Sequence, residues 1–243
     1  MKLHVINPNT SRALSATLQK VAQYATQASN VTVLTSTQGP PSLESHVDDA
    51  LAVPGILLLA HALRHKEATD GILIACFGDP GIDAVRELCR VPVLGIAEAA
   101  MHTAAMLGHR FSVVTTLSRT IPTAHRILQR TGLYQQCVRV RACELPVSAL
   151  EDADACWSAL LAECKHAIAE DGVDTLVLGC AGMADMADAL SDALGIPVID
   201  GVRAGIHLLE GLAHQQLRPA KLGDRAFPTN KSCLGPYAEI LHY

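Results

Sequence analysis

Aromatic residues are scarce in this chain of 243 residues: three Phe, four Tyr and one Trp. Few side chains can stack on bases, and a net charge of −5 without any basic tract offers nothing to a phosphate backbone or an acidic membrane surface. The apolar run Ile56–Ala60 is far too short to span a bilayer, and Met1–Pro8 has no secretory apolar core. No G-x-G-x-x-G, G-x-x-x-x-G-K-[ST] or G-x-S-x-G occurs, which removes the usual nucleotide and serine-hydrolase readings. No C-x-x-C pair is present, and His61 and His65, spaced i, i+4, lack the Glu of an H-E-x-x-H motif. The expectation is a soluble cytoplasmic protein with a small-molecule substrate, no nucleic-acid or membrane partner, no metal and no cofactor.

What is abundant is core material. With 49% apolar residues, the chain can bury one large core or two of about 100 residues each. Eight cysteines in a long, leaderless chain read as free thiols rather than a disulfide framework. Cys89, Cys156 and Cys164 are expected in the core, the last two on the apolar face of a helix over 152–171 that also carries Leu160, Leu161 and Ile168.

The chain is organised around the segment Asp70–Ile96. Its run Ile72–Ala75 lacks alternation, as does a parallel strand covered on both faces, and Asp79-Pro80 resembles an N-cap followed by Pro at the first helical position. Cys76 falls between them. The same construction recurs at Asp174–Asp200, where Cys180 takes the place of Cys76. Each Cys lies six positions after an Asp, and a Pro opening the next strand follows 16 or 17 positions later, at Pro92 and Pro197. Two half-folds of one design are implied, and each places a thiol outside the carboxyl end of a parallel strand, the usual ligand crevice of an open α/β sheet. Helix N-termini there are expected to bring at least one thiol nearer neutrality.

The remaining elements fit the duplication. Leu3–Ile6 reads as a strand, Asn7–Ser11 as a polar turn that caps a helix reaching about Ala28, and Asn30–Leu34 as the second strand. Gln38–Pro41 is a loop able to cover a pocket, and Leu43–Lys66 is mostly helical, with Pro54-Gly55 expected to kink or split it. In the second half, Arg110–Thr115 matches the first strand, so that Thr115 and Thr116 correspond to the turn bearing Asn9 and Thr10. The intervals agree: 67 residues separate Asn9 from Cys76, and 64 separate Thr116 from Cys180. Helices over 97–107, 118–131 and 202–213 and a strand over 137–142 complete the pattern. The tail 215–243 crosses back to the first half. The expected fold is α/β, two similar parallel-sheet halves related by a pseudo-two-fold axis, with the active site in the cleft between them. The halves are residues 1–97 with 216–243, and residues 98–215.

Opposed thiols suit racemisation. One thiolate removes a proton from a carbon beside a carbonyl, and the other thiol protonates the far face. The resulting enolate needs hydrogen-bond donors, and the amides at Phe77–Gly78 and Ala181–Gly182 are placed to supply them. Asn9, Thr10, Thr115 and Thr116 are candidates to hold the ligand.

Together, Val5-Ile6-Asn7-Pro8-Asn9-Thr10-Ser11, Ala75-Cys76-Phe77-Gly78-Asp79-Pro80-Gly81 and Gly179-Cys180-Ala181-Gly182-Met183 resemble the aspartate/glutamate/hydantoin racemase superfamily, in its hydantoin and allantoin racemase branch. The resemblance covers nearly the whole chain. It implies a cofactor-independent two-cysteine racemase of a cyclic ureide, allantoin or another 5-substituted hydantoin, with Cys76 and Cys180 catalytic and Met183 beside the substrate. Allantoin as substrate would tie the chain to purine catabolism. Glutamate and aspartate racemases usually follow their cysteines with Asn-Thr and Thr-His, where this chain has Phe77-Gly78 and Ala181-Gly182, and glutamate racemases carry an Asp-Ser-Gly that is missing after the first strand. Arylmalonate decarboxylases keep only the second cysteine. The alternatives are an amino-acid racemase, a maleate-isomerase-like enzyme, or a non-catalytic small-molecule-binding protein. A homo-oligomer is expected, as for most cytosolic enzymes. On this reading, exhaustive dialysis against EDTA leaves activity unchanged and iodoacetamide abolishes it; loss on dialysis, restored by a divalent ion, would overturn the cofactor-free expectation.

Overall fold

The structure is a computed structural model that describes residues 1–64, 69–151, 153–235 and 237–241. Strands β1 (Lys2–Asn7), β2 (Asn30–Thr35), β3 (Gly71–Ile74) and β4 (Val93–Gly95) form one parallel sheet in the order β2-β1-β3-β4. A second parallel sheet repeats that order as β6-β5-β7-β8, from β5 (Phe111–Thr115), β6 (Cys137–Ala142), β7 (Thr175–Leu178) and β8 (Val198–Ile199). The helices are α1 (Arg12–Ala25), α2 (His46–Arg64), α3 (Ile82–Leu88), α4 (Ile96–Leu107), α5 (Ile121–Thr131), α6 (Ala153–His166), α7 (Ala187–Leu194) and α8 (Gly201–His214). The fold is the expected α/β arrangement of two similar halves.

Both faces of each sheet are apolar, which explains the missing alternation in the strands. Leu3, Val5 and Leu73 face a central layer that they share with Phe111, Val113 and Val177 of the other sheet. Ile6, Ile72 and Ile74 face away from it, under α2 and α3, as Val114, Leu176 and Leu178 do under α6 and α7. Between the sheets lie α1, α4, α5 and α8. Their buried residues, among them Leu18, Met101, Leu128 and Ile206, make one continuous core with both inner sheet faces.

Two helices cross between the halves. Helix α8, which closes the second half in sequence, packs on β3, β4 and α1, and its Glu210 accepts from Thr26 (2.5 Å) and Ser29 (2.6 Å). Helix α4, which follows β4, packs on β7 and α5. By packing, α8 lies against the first sheet and α4 against the second. The tail crosses back as well: Lys221 Nζ donates to the Glu87 carbonyl (3.0 Å), Arg90 lies 4.5 Å from the Phe227 ring centre, and Ile240 is buried with α2.

Local departures have local causes. Helix α2 begins at His46, not Leu43, because Ser45 caps it: its Oγ accepts from Asp48 N (3.2 Å) and donates to Asp48 Oδ2 (2.8 Å). The helix runs through Pro54-Gly55 unbroken. Gly55 is pressed so closely on Ser36 that a Cβ would stand 2.1 Å from its Oγ, and Ala52, Ile56, Ala60 and Leu63 anchor α2 in the core on both sides of the Pro. Of the two histidines spaced along it, His65 lies outside the described residues.

Asp79 does not cap the helix that follows it. Helix α3 starts only at Ile82, behind Gly81 at φ +66°, while Asp79 itself is left-handed, with φ +44°. Its buried carboxylate accepts from Ala97 N (3.0 Å) and Glu98 N (3.1 Å), so it caps α4 instead. Gly95 makes this possible, since a Cβ there would stand 2.0 Å from Asp79 Oδ1. Burial and the neighbouring Glu98 push the Asp79 pKa up to about 7, against the two amides and Arg130, which favour the anion.

Glycines within α8 give opposite expectations. A Cβ at Gly201 would lie 2.3 Å from the Ile96 carbonyl oxygen, while at Gly211 it would meet nothing within 4 Å. Gly201→Ala should lower stability by about 2 kcal/mol or more through backbone displacement at the crossing of α4 and α8. Gly211→Ala should raise it by roughly 0.5–1 kcal/mol through helix propensity. Urea midpoints measure both, and equal effects would refute the crossing geometry.

Candidate active site

In a sheet of order 2-1-3-4 the connections leave the two inner strands in opposite directions, and a crevice opens at their carboxyl ends. Cys76 lies two residues beyond the end of β3, and Cys180 two residues beyond the end of β7. Each sulfur receives the backbone N–H of the glycine two positions on, Gly78 for Cys76 and Gly182 for Cys180. The duplication thus extends to single hydrogen bonds. These two amides are turned toward the sulfurs, where they stabilise thiolates.

The cavity beside Cys76 has a volume of about 260 Å³. One wall comes from the first half, with Leu43, Glu44, Ser45, His46 and Asp49 leading into α2 and Phe77 and Gly78 after Cys76. The facing wall comes from the second half, Arg119 and Thr120 in the turn before α5 and Thr123 in its first turn. Gly78 is held between the two: a Cβ there would lie 3.5 Å from both Asp49 Oδ1 and Thr123 Cγ2. A second cavity of about 340 Å³ is lined by Asn9, Ser11, Pro41, Ser42, Leu150, Gly182 and Asp185. Gly182 is close-packed under Leu150, whose Cδ1 lies 2.7 Å from where its Cβ would be, and only 3.8 Å separates that position from the Cys180 Sγ. Glu44 joins the halves at the mouth, accepting from Val147 N at 3.0 Å.

The residues proposed from sequence separate into groups. Asn9 and Gly182 line the second cavity, and Phe77 and Gly78 line the first, although the Phe77 ring is largely buried in the central core. Asn9 Oδ1 accepts from Ser11 N (2.9 Å), and Asn7 Nδ2 donates to the Ser11 carbonyl and Ser15 Oγ, both at 3.0 Å. Thr10 N donates to the Pro40 carbonyl (3.1 Å), which fixes the loop over the second cavity. The Thr115 hydroxyl is buried and donates to the Gly179 carbonyl (3.1 Å), so it holds the strand end just before Cys180. Thr116 is buried too, its carbonyl accepting from Leu145 N at 3.1 Å. Ala181 belongs to the central core, and Met183 to the outer core beside Val114, Leu178 and Ala187, away from the cleft. Sequence reasoning missed the polar wall of Glu44, His46, Asp49 and Arg119. Its one legible trace was the Ser45-x-x-Asp48 capping box that ends the loop and starts α2.

Neither thiol is brought toward neutrality. Burial pushes Cys76 far above the ordinary thiol value, with the nearby charges of Asp49, Cys180 and Asp79 adding to the effect and the Gly78 amide opposing it. Burial likewise pushes Cys180 up to about 11, against the Gly182 amide. The expected helix N-termini are not available to the thiols: α3 begins six residues after Cys76, α4 is capped by Asp79, and a short 3-10 segment, Ala181–Met186, follows Cys180. Because a Cys180 thiolate is felt at Cys76, one anion disfavours the second, and the favoured charged state holds one thiolate and one thiol. Among the described residues, no three His, Cys, Asp or Glu side chains converge as metal ligands.

A two-half α/β protein with a thiol at the same strand end of each half belongs to a recognisable class. The sequence profile described as Asp/Glu/Hydantoin racemase matches residues 3–209, and the chain belongs to that family. It is 40% identical over 239 residues to a protein of Rhizobium meliloti named hydantoin racemase, covering 97% of this chain and 98% of that one. Among solved structures, allantoin racemase from Klebsiella pneumoniae superposes with a TM-score of 0.96 at 41% identity, covering all of both chains. Allantoin racemase from Pseudomonas fluorescens gives 0.91 at 34% identity, covering 97% of this chain and 100% of the other.

The raised thiol values fix a pH dependence. With both groups protonated at neutrality, the thiolate fraction in the free protein grows about tenfold per pH unit below the lower value, near 11. Any activity that uses a thiolate as base should therefore climb from pH 7 toward 10 in kcat/KM. A plateau reached below pH 8 would show that the sulfurs are less buried in solution.

Proposed function

We propose that the protein racemises a 5-substituted hydantoin through Cys76 and Cys180, with allantoin preferred. The observation that carries this is the pair of thiols at matching strand ends, each with its own glycine amide, with Cys76 lining a cleft built from both halves. The likeness to hydantoin and allantoin racemases supports it.

In the reaction, one cysteine as thiolate takes the proton from C5 of the ring. The C–H electron pair passes into the adjacent carbonyl as an enolate, and the other cysteine, as thiol, protonates C5 from the opposite face. The first cysteine ends protonated and the second ionised, ready for the other enantiomer. The low dielectric that raises both thiol values also strengthens a thiolate as base once it forms.

The polarity of the wall supports allantoin over hydantoins with hydrocarbon substituents. A ureido group offers three N–H donors and one carbonyl, and the wall presents carboxylates at Glu44 and Asp49 with donors at His46 and Arg119. A benzyl group would bury these polar groups without partners, a loss of the kind that yields large discrimination. Polarimetry should give a kcat/KM for allantoin at least about 10²-fold above that for 5-benzylhydantoin. A preference for the benzyl compound would overturn the substrate assignment.

The thiols are tested separately. In heavy water, Cys76→Ser should exchange the C5 proton of one enantiomer without inverting it, and Cys180→Ser should do the same for the other enantiomer. Near wild-type racemisation by either variant, or exchange of the same enantiomer by both, would overturn the two-base mechanism.

A further inference from the structure

Asp79 joins three parts of the molecule that bound the cleft. Its backbone N–H donates to the Cys76 carbonyl (3.0 Å), closing the turn that presents the thiol. Its carboxylate holds the first amides of α4, and the same Oδ2 receives Arg130 Nη2 at 3.2 Å. Arg130 stands near the end of α5, in the other half, and also reaches Glu98 Oε2 at 3.5 Å, while Arg86 of α3 pairs with Glu98 Oε1. The opening turn of α5 supplies Thr120 and Thr123, the wall that faces Cys76. A rigid helix thus has the Cys76 wall at one end and the Asp79 partner at the other. The left-handed backbone of Asp79 is an unfavourable conformation for a residue with a side chain. It is kept where the carboxylate has three hydrogen-bonding and ionic contacts to satisfy and Gly95 leaves room for it.

We propose that Asp79, through Arg130, is a positioning residue that sets the separation of the two halves at the cleft, and thereby the alignment of Cys76 with the carbon it shares with Cys180. The proposal rests on the two-thiol reading. Removing a proton needs one sulfur in place, whereas inversion needs both in place on opposite faces within one turnover. Loosening the clamp therefore affects inversion more than proton exchange. Misplacement by about 1 Å is enough to cost on the order of 10²-fold in a step that depends on alignment.

The test compares C5 proton exchange, followed by NMR in heavy water, with inversion, followed by polarimetry, on allantoin. Arg130→Gln is the principal variant, since Arg130 is partly exposed and its loss leaves the cap on α4 intact. Inversion should fall about tenfold or more while exchange of at least one enantiomer changes by less than about threefold. Arg130→Lys, which keeps the charge, should recover part of the ratio, and Asp79→Asn, if it folds, should lower it at least as far as Arg130→Gln. An inversion-to-exchange ratio unchanged in Arg130→Gln, or inversion and exchange falling in equal proportion, overturns the proposal. Failure of the two-thiol reading is seen separately, as Cys76→Ser or Cys180→Ser retaining racemisation.

Discussion

The structure depends on one shared layer of apolar packing between two parallel sheets. Leu3, Val5 and Leu73 on one side and Phe111, Val113 and Val177 on the other are covered by the same set of helices, so neither inner face is buried without the other half. At roughly 25 cal/mol per Å² of apolar surface removed from water, separating the halves would expose a core that neither could cover alone. The crossing of α4 and α8 makes this mutual, because each sheet is covered partly by a helix adjoining the other half in sequence.

This shared layer is also what creates the cleft. Parallel sheets direct the carboxyl ends of their inner strands, and the turns that follow, to one edge, and joining two such sheets through a common helical layer lines the cavities at that edge with residues of both halves. The thiols at those turns lose most of their hydration, which sets their electrostatics. Burial, rather than a helix terminus, dominates the environment of both Cys76 and Cys180. Asp49 adds its charge at Cys76 and Glu44 adds its own at Cys180, and on each side the glycine amide favours the thiolate against them. A site of this kind suits a substrate whose proton is already acidified by flanking carbonyl and nitrogen groups.

Charged groups tie the halves where the apolar layer ends. Glu44 reaches Val147 across the mouth of the cleft, and Asp79 reaches Arg130 behind the Cys76 turn. An ion pair with one buried member, as Asp79 is with Arg130, adds little net stability, because desolvation offsets much of its attraction, but it accepts only a narrow geometry. That trade suits a boundary between two bodies whose relative placement matters more than their adhesion.

What the sequence determined by itself is whatever depends on neighbours along the chain. Continuous apolar runs at Ile72–Ile74 and Leu176–Leu178 marked strands covered on both faces, the repeated Asp, Cys and Pro spacing revealed the duplication, and the ends of those runs located Cys76 and Cys180. The tertiary structure decided whatever depends on neighbours across space. Asp79-Pro80 has the local form of a helix cap, but the amides nearest its carboxylate belong to α4, 18 residues on, where Gly95 leaves the room. Met183 follows the second thiol closely in sequence, yet the turn of the 3-10 segment sends its side chain into the outer core. Asp49 and Arg119 become opposite walls of one cavity because α2 and α5 converge there, a meeting that local periodicity does not encode and that packing of the shared layer imposes.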